Sequence, residues 1–223
     1  MSEELSAFIR LLDKRYSCRG FLDRPVEREK IKLIIETAQK VPSWCNSQPW
    51  QLAICSPEKT KLLADVLTKA AIDGMQSPDI IFPESYRGVY KERRSNCGWQ
   101  LYEAVGVEKG DRSASQKQMM ENFRFFGAPQ VALVTTPKEL GAYGAVDCGA
   151  FVTAFTLAAQ GLGVATIAQA AIAGLAPVVR ECLCLSSDRN ILCAISFGYE
   201  NKDHPANQFR TDRAESSDVI DWY

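Results

Sequence analysis

The segment from Ala142 to Gln160 constrains the fold most, because it is rich in alanine, glycine and phenylalanine and contains one charged residue, Asp147. This composition predicts a helix packed on most sides, with small residues that let another helix approach closely. Glycine, glutamine and Asp147 interrupt the apolar stretch as it continues to Ala173, so we do not expect a membrane span. Other elements of a globular domain must therefore cover this helix.

Amphipathic helices and short apolar strands make up much of the rest of the chain. Leu5, Phe8, Ile9 and Leu12 have the i, i+3, i+4, i+7 spacing of a helix, and a second helix follows Pro25. Ser56 and Pro57 are suited to the N-cap and N1 positions of a third. Strands are predicted at residues 51–55, 130–136, 163–169 and 191–198, with a helix at 177–185.

This order predicts an α+β fold with about four strands among six or seven helices. No repeat or low-complexity linker divides the chain, so residues 1–223 are expected to form one domain. Residues 74–125 are the most polar part and are expected to form a helical excursion over the core. Residues 201–223 lack strong periodicity, and such a tail would wrap a partner subunit in a dimer.

Composition excludes several classes of protein. The net charge is −1 with acids and bases intermixed, so we expect no binding of nucleic acid and no polybasic membrane surface. Glu3 and Glu4 stand where a signal peptide needs basic residues, which favours a cytoplasmic protein. The eight cysteines show no Cys-x-x-Cys spacing and are interpreted as small buried hydrophobes, with no metal site.

Familiar catalytic patterns are absent. The single histidine, His204, lies in a polar turn without a nucleophile motif nearby, and no Walker sequence occurs. Gly161 and Gly163 begin like a dinucleotide fingerprint, but Thr166 stands where the last glycine belongs and a helix precedes them, so they indicate a helix stop and turn. Chemistry would then depend on a bound cofactor, although a binding module would look the same.

Two arginine-containing segments are candidates for a phosphate site. The turn from Arg15 to Arg19 offers two guanidinium groups and a hydroxyl, which suit phosphate oxygens. Arg210 or Arg213 of the tail could reach the same phosphate. The alternatives are a solvated basic turn and an ordinary charged tail.

Two further segments could contact a heteroaromatic ring. The loop from Pro42 to Pro49 presents Ser43, Asn46, Ser47 and Gln48 between stiffening prolines. In the stretch from Asn122 to Pro129, Arg124 could face a ring carbonyl and stabilise a reduced ring. A capped helix end before a strand, and core aromatics beside a surface arginine, are the alternatives.

Taken together and in this order, these segments resemble the nitroreductase superfamily of FMN proteins, and most of all its 4-nitrobenzoate reductase-like branch. The resemblance covers nearly the whole chain. Its most specific motif is the Pro-Ser-x-x-Asn-Ser-Gln-Pro-Trp loop at 42–50. The other motifs are Arg-x-Ser-x-Arg at 15–19, Asn-Phe-Arg-Phe-Phe-Gly-Ala-Pro at 122–129, Gly161-Leu-Gly163 with Gln169, the strand end at 195–199 and the tail at 207–213.

The resemblance implies a nitroreductase-like fold, with a central, mostly antiparallel sheet flanked by helices, in an intertwined homodimer. It implies that Arg15, Tyr16, Ser17, Arg19 and Arg213 hold the FMN phosphate, and that Asn122 and Arg124 contact the pyrimidine edge. Pro42, Ser43, Trp44 and Asn46 would reach the partner subunit's flavin. Backbone groups around Gln169, Ala170 and Ala171 would lie near flavin N5. Ala171 replaces a serine that is frequent in this branch, so only a backbone donor remains there.

The implied activity is reduction of nitroaromatic or quinone-like acceptors by NADH or NADPH in a ping-pong cycle. No side-chain acid or base is needed in the first half-reaction, which agrees with the scarcity of histidine. Other acceptors are open alternatives, including quinones, dehalogenation substrates and flavin itself in flavin destruction. A flavin-binding protein without catalytic activity is the alternative from a different class.

Overall fold

The computed structural model describes all 223 residues and contains seven α-helices and four β-strands. The helices are α1 (Glu3–Lys14), α2 (Arg28–Ala38), α3 (Pro57–Ile72), α4 (Gly88–Ala104), α5 (Arg112–Met120), α6 (Gly141–Gly161) and α7 (Ala176–Leu183). The strands are β1 (Gln51–Cys55), β2 (Gln130–Pro137), β3 (Ala165–Gln169) and β4 (Arg189–Gly198). The predicted α+β fold is confirmed.

The strands form one sheet in the order β1-β2-β4-β3, and every pairing is antiparallel. Successive side chains of a strand point to opposite faces. In β2, Val131 and Leu133 join one hydrophobic cluster, whereas Ala132 and Val134 join another. Both faces of the sheet are therefore buried, with α3 and α7 covering one face and α2 and α6 the other.

Helix α6 forms where its composition predicts it, but it is packed on fewer sides than expected in a single chain, since Tyr143 and Val146 are exposed. Its residues Cys148, Phe151 and Phe155 are buried in the cluster that also holds residues of α2. By length and composition alone, the segment Lys138–Gly161 is apolar enough to cross a membrane, with a mean hydropathy of 1.3. The core helix of a packed fold meets the same criteria of length and composition, and α6 is such a helix, so the absence of a membrane span stays a prediction.

The boundaries of several elements follow from local backbone chemistry. Ser56 caps α3 by accepting a hydrogen bond from the backbone N–H of Lys59, as predicted. Helix α6 ends at Gly161, and Gly163 has a φ of 70°, so β3 begins at Ala165 rather than at residue 163. The predicted helix stop is correct, but the turn takes two residues that were assigned to the strand.

The excursion at 74–125 consists mainly of α4 and α5, and neither helix buries a residue completely. Its base is fixed to the core by the carboxylate of Asp79, which contacts the Arg180 guanidinium at 2.7 Å and accepts a hydrogen bond from the Ile191 N–H. The tail from 201 to 223 contains only short 3-10 turns.

Candidate functional site

The first candidate segment lies at the free edge of β3. Helix α1 ends at Lys14, and Ser17 then forms a parallel bridge with Thr166. The next residue, Cys18, is buried, and its N–H donates to the Thr166 carbonyl at 3.0 Å. The arginine turn is therefore attached to the sheet.

The start of the tail packs directly against this turn through Asn207, which is 3% exposed. Its Oδ1 accepts a hydrogen bond from the Arg19 N–H at 2.7 Å, and its Nδ2 donates to the Gly20 carbonyl at 2.9 Å. A Cβ on Gly20 would stand 2.2 Å from Cγ of His204, so only glycine permits this contact. His204 itself caps the turn by accepting from the Ala206 N–H.

The turn and the tail enclose a cleft of about 460 Å³. Four guanidinium groups face it, together with one carboxylate, the hydroxyl of Ser17 and the ring of Tyr16. The lining residues are Leu12, Asp13, Arg15, Tyr16, Ser17, Arg19, Cys97, Phe209, Arg210, Thr211 and Arg213.

None of these four guanidinium groups has a carboxylate partner within 4.0 Å. Burial lowers the pKa of Arg15, and the charge of Arg213 lowers it further. Burial also lowers the pKa of Arg19. Such a concentration of unneutralised positive charge fits an anion, and guanidinium forks match phosphate oxygens.

Tyr16 is held in place at one side of the cleft. Its hydroxyl donates to Glu200 at 2.5 Å, and the Arg210 guanidinium lies 3.6 Å from the ring centroid. Burial, followed by the hydrogen bond to Glu200, raises the Tyr16 pKa well above its ordinary value. The Tyr16 phenol therefore stays protonated, and its contacts with Glu200 and Arg210 hold this side of the cleft in place.

A second group of candidate residues meets around Gln169, at the end of β3. Its Nε2 donates to the Asn122 carbonyl at 2.8 Å, and its Oε1 accepts a hydrogen bond from the Ser196 hydroxyl. Ala170 is exposed and Ala171 half-buried, directly after this residue. The structure thus brings Asn122 and Gln169 together, and the two alanines that follow Gln169 are at least partly exposed.

Arg124 differs from the arginines of the cleft. It lies in the 3-10 helix Glu121–Gly127, its side chain is 58% exposed, and it pairs with Glu121 at 2.9 Å. Glu121 and Arg19 both line a cavity of about 310 Å³ beside the cleft. Only one terminal nitrogen of Arg124 contacts Glu121, so its other N–H groups remain available for the predicted contact with a ring carbonyl, which stays a prediction.

The loop residues Pro42, Ser43, Trp44 and Asn46 do not line the arginine cleft. They lie against α6, where the Trp44 ring is 5.1 Å from that of Tyr143 and 64% exposed. One chain alone therefore does not bring the loop to the arginine cleft.

The sequence alone did not identify three residues that lie near these sites. Cys97 lies in α4, 78 residues beyond Arg19, and no local pattern predicts its place in the cleft. Asn207 belongs to the tail motif at 207–213, but the sequence did not indicate that its side chain joins the tail to the arginine turn. Asp147 binds the 42–49 loop, and its signal was available as a single charge in an apolar helix.

Comparison with known proteins agrees with this geometry. The model of the Nitroreductase family matches residues 12–199. A 4-nitrobenzoate reductase of Nocardioides sp. (strain LMS-CY) is 32% identical over 94% of this chain and 87% of its own length.

Two solved structures have the same fold over almost the whole chain. The FMN-dependent nitroreductase NfnB from Mycobacterium smegmatis, in complex with NADPH, superposes with a TM-score of 0.94 at 31% identity, over 99% of this chain and 100% of that one. The FMN and NADPH-dependent NfnB from sphigopyxis sp. strain HMH gives 0.92 at 28% identity, over 96% and 98%. The family model alone spans well over half of the sequence. The chain belongs to the nitroreductase family.

Proposed function

We propose that this protein is an FMN-dependent oxidoreductase that uses NADPH or NADH to reduce nitroaromatic or quinone-like acceptors. The observation that carries the proposal is the cleft with four guanidinium groups and no carboxylate partner for any of them. A dianionic phosphate at the end of a cofactor supplies the missing counter-charge. The relatives support FMN as the cofactor and a nitroaromatic compound as the acceptor, since those named above are a 4-nitrobenzoate reductase and FMN-dependent nitroreductases.

The residues of the chain have binding and electrostatic roles in this proposal. Arg15, Ser17 and Arg19 would hold the phosphate from the turn, with Arg213 or Arg210 closing the cleft from the tail. The segment from Gln169 to Ala171, with Asn122, would lie along the ring system. FMN, when bound, supplies the transfer of electrons from donor to acceptor. Donor and acceptor would occupy the same place in turn, which is a ping-pong order.

A homodimer completes the proposed site. Leu5, Phe8 and Leu12 form one face of α1 and are 48%, 50% and 42% exposed. Exposed apolar residues in one contiguous face indicate a surface for another protein chain. Tyr143 and Val146 of α6 add to the exposed apolar surface beside the 42–49 loop. A partner that covers these faces would bring its own loop to this chain's cofactor, and each tail would wrap the other subunit.

We further propose that residues 1–223 act as one domain in the cytoplasm, without binding nucleic acid or membrane. The net charge of −1 and the two clusters that share one sheet support this view.

Initial-rate kinetics test the activity. The protein is supplied with FMN, and oxidation of NADPH or NADH is followed at varied concentrations of 4-nitrobenzoate or a benzoquinone. Parallel double-reciprocal lines with the nitroaromatic would support the proposal. Turnover with the quinone alone would restrict the proposed acceptors to quinones. Bound FMN without any turnover would indicate a flavin-binding protein that is not an enzyme.

A further inference from the structure

The 42–49 loop has an unusual backbone. Cys45, Asn46 and Gln48 have φ values of 50°, 54° and 47°, in the left-handed region that favours glycine. Non-glycine residues persist in that region only where their surroundings determine the conformation. Three such residues within four positions mean that specific contacts must hold this loop.

Within the loop, the Gln48 N–H donates to the Ser43 hydroxyl at 2.9 Å. From outside the loop, Arg189 donates to the Pro49 carbonyl, and the carboxylate of Asp147, on α6, contacts the segment that holds Trp44 and Ser47. Both of its oxygens lie 3.1 Å from the backbone nitrogen of Trp44, which donates to them. Oδ2 also accepts from the Ser47 hydroxyl at 3.4 Å. One turn earlier on α6, Tyr143 packs against the Trp44 ring. A single helix therefore fixes both the backbone and the ring of the loop.

Asp147 has no other evident role. It is 8% exposed, and no lysine, arginine or histidine lies within 4.0 Å of its carboxylate. A buried carboxylate without an ion pair is costly unless hydrogen bonds replace its lost hydration. The N–H of Trp44 and the hydroxyl of Ser47 are the donors that the structure gives it, so the carboxylate and the loop stabilise each other.

We propose that Asp147 is a positioning residue for cofactor reduction, which holds Trp44 and Asn46 in the shape that reaches the partner subunit's cofactor. This inference rests on the proposed function, because the loop needs a cofactor and a partner to act on. Asp147 itself lies behind the loop and would touch neither. Its loss should therefore change the rate of cofactor reduction far more than the affinity for the FMN phosphate.

The test uses dimeric protein loaded with FMN and mixed with excess NADPH without oxygen, so that one reduction is observed. Asp147→Ala should slow the limiting rate of flavin reduction by about tenfold or more, since misplaced groups cost rate steeply. Its FMN dissociation constant should stay within about threefold, because the arginines that would hold the phosphate do not contact Asp147 and stay in place. Asp147→Asn, which keeps an acceptor for the Trp44 N–H, should recover most of the rate.

Val179→Ala is the matched control, because it removes buried volume from α7, on the opposite face of the sheet. It should lower the melting temperature without slowing flavin reduction. The proposal would be overturned if flavin were reduced as fast in Asp147→Ala as in wild type. It would also be overturned if Val179→Ala slowed flavin reduction as much as Asp147→Ala does. If Asp147→Ala does not fold, Ser47→Ala decides, since Ser47 is exposed. It should slow reduction by about twofold to fivefold, and an unchanged rate contradicts the proposal.

Failure of the proposed function would look different. In that case wild-type protein would not bind FMN, or NADPH would not reduce it. A wild-type protein that is reduced normally, with Asp147→Ala equally fast, would leave the proposed function intact and remove only the role of Asp147.

Discussion

Replacing Arg15 by alanine should separate cofactor affinity from the stability of the fold. The Arg15 guanidinium faces the cleft, makes no side-chain hydrogen bond and has no carboxylate within 4.0 Å. Burial lowers the Arg15 pKa, and repulsion by the positive charge of Arg213 lowers it further. Without cofactor, the side chain therefore contributes little to stability. With cofactor, it would form a charge-assisted hydrogen bond to the phosphate.

The magnitude follows from these contacts. A hydrogen bond to a charged group contributes about 1.5–3 kcal/mol, and the open cleft places Arg15 near the lower value because water screens the charge. About 1.4 kcal/mol corresponds to a factor of ten in an equilibrium constant. We expect Arg15→Ala to raise the FMN dissociation constant about tenfold. The free energy of unfolding without FMN should change by less than about 0.5 kcal/mol.

Quenching of FMN fluorescence measures the affinity, and denaturant unfolding of the cofactor-free protein measures stability. Arg10→Ala is the control, since Arg10 lies on α1, which ends just before Arg15, is exposed and does not line the cleft. It removes the same charge and should leave the affinity nearly unchanged. An unaltered FMN affinity in Arg15→Ala would refute the role of the cleft. A loss of more than about 1 kcal/mol of cofactor-free stability would show that Arg15 is a structural residue.

Three further predictions concern the scaffold. Asp79→Ala should lower the free energy of unfolding by about 3 kcal/mol in denaturant titrations, because the variant leaves the largely buried charge of Arg180 without its partner. The control is Lys32→Ala, which removes an exposed ion pair and should cost under about 0.5 kcal/mol. Gly20→Ala should unfold at markedly lower temperature, since its Cβ would overlap His204. A thiol reagent should label Cys184 before Cys18 and Cys55, because Cys184 is exposed and the other two are buried.

Buried thiols contribute to the loss of stability at alkaline pH. Burial raises the folded-state pKa of Cys18, Cys55 and Cys148 to about 11, from an ordinary value of 9.0. A raised pKa means that the stabilising contribution is complete below the unfolded-state pKa and is lost as pH rises through the folded-state value. Melting temperature should therefore fall from pH 9 to 11 as the unfolded chain gains thiolates, and a flat profile would contradict the burial of these groups.

The elements that sequence predicts well are those with strong local signals. The spacing in α1, the Ser56-Pro57 cap and the apolar run of β2 from 131 to 134 each favour their own conformation, and all three elements are confirmed. Local chemistry was sufficient for these three elements. The turn at 15–19 was identified as a candidate phosphate site from its two guanidinium groups and one hydroxyl, with a solvated basic turn as the alternative. The turn lines the cleft, and its binding of phosphate stays a prediction.

What sequence could not predict depends on contacts between distant segments or on the type of a short helix. Cys97 reaches the cleft only because α4 packs near the turn and tail. Arg124 pairs with Glu121 because a 3-10 helix places residues three apart on one side. The face of α1 was identified as apolar, but its exposure in a single chain becomes visible only once the other elements have packed.

The most direct test of the central claim is an anaerobic absorbance titration of the protein reconstituted with FMN. Addition of NADPH or NADH should bleach the flavin band in the visible blue, and a nitroaromatic or quinone should restore it. That result would establish the cofactor and the alternating order of donor and acceptor together. Failure of the protein to bind FMN would contradict the assignment of the arginine cleft, and bound FMN that neither donor reduces would contradict the proposed enzyme.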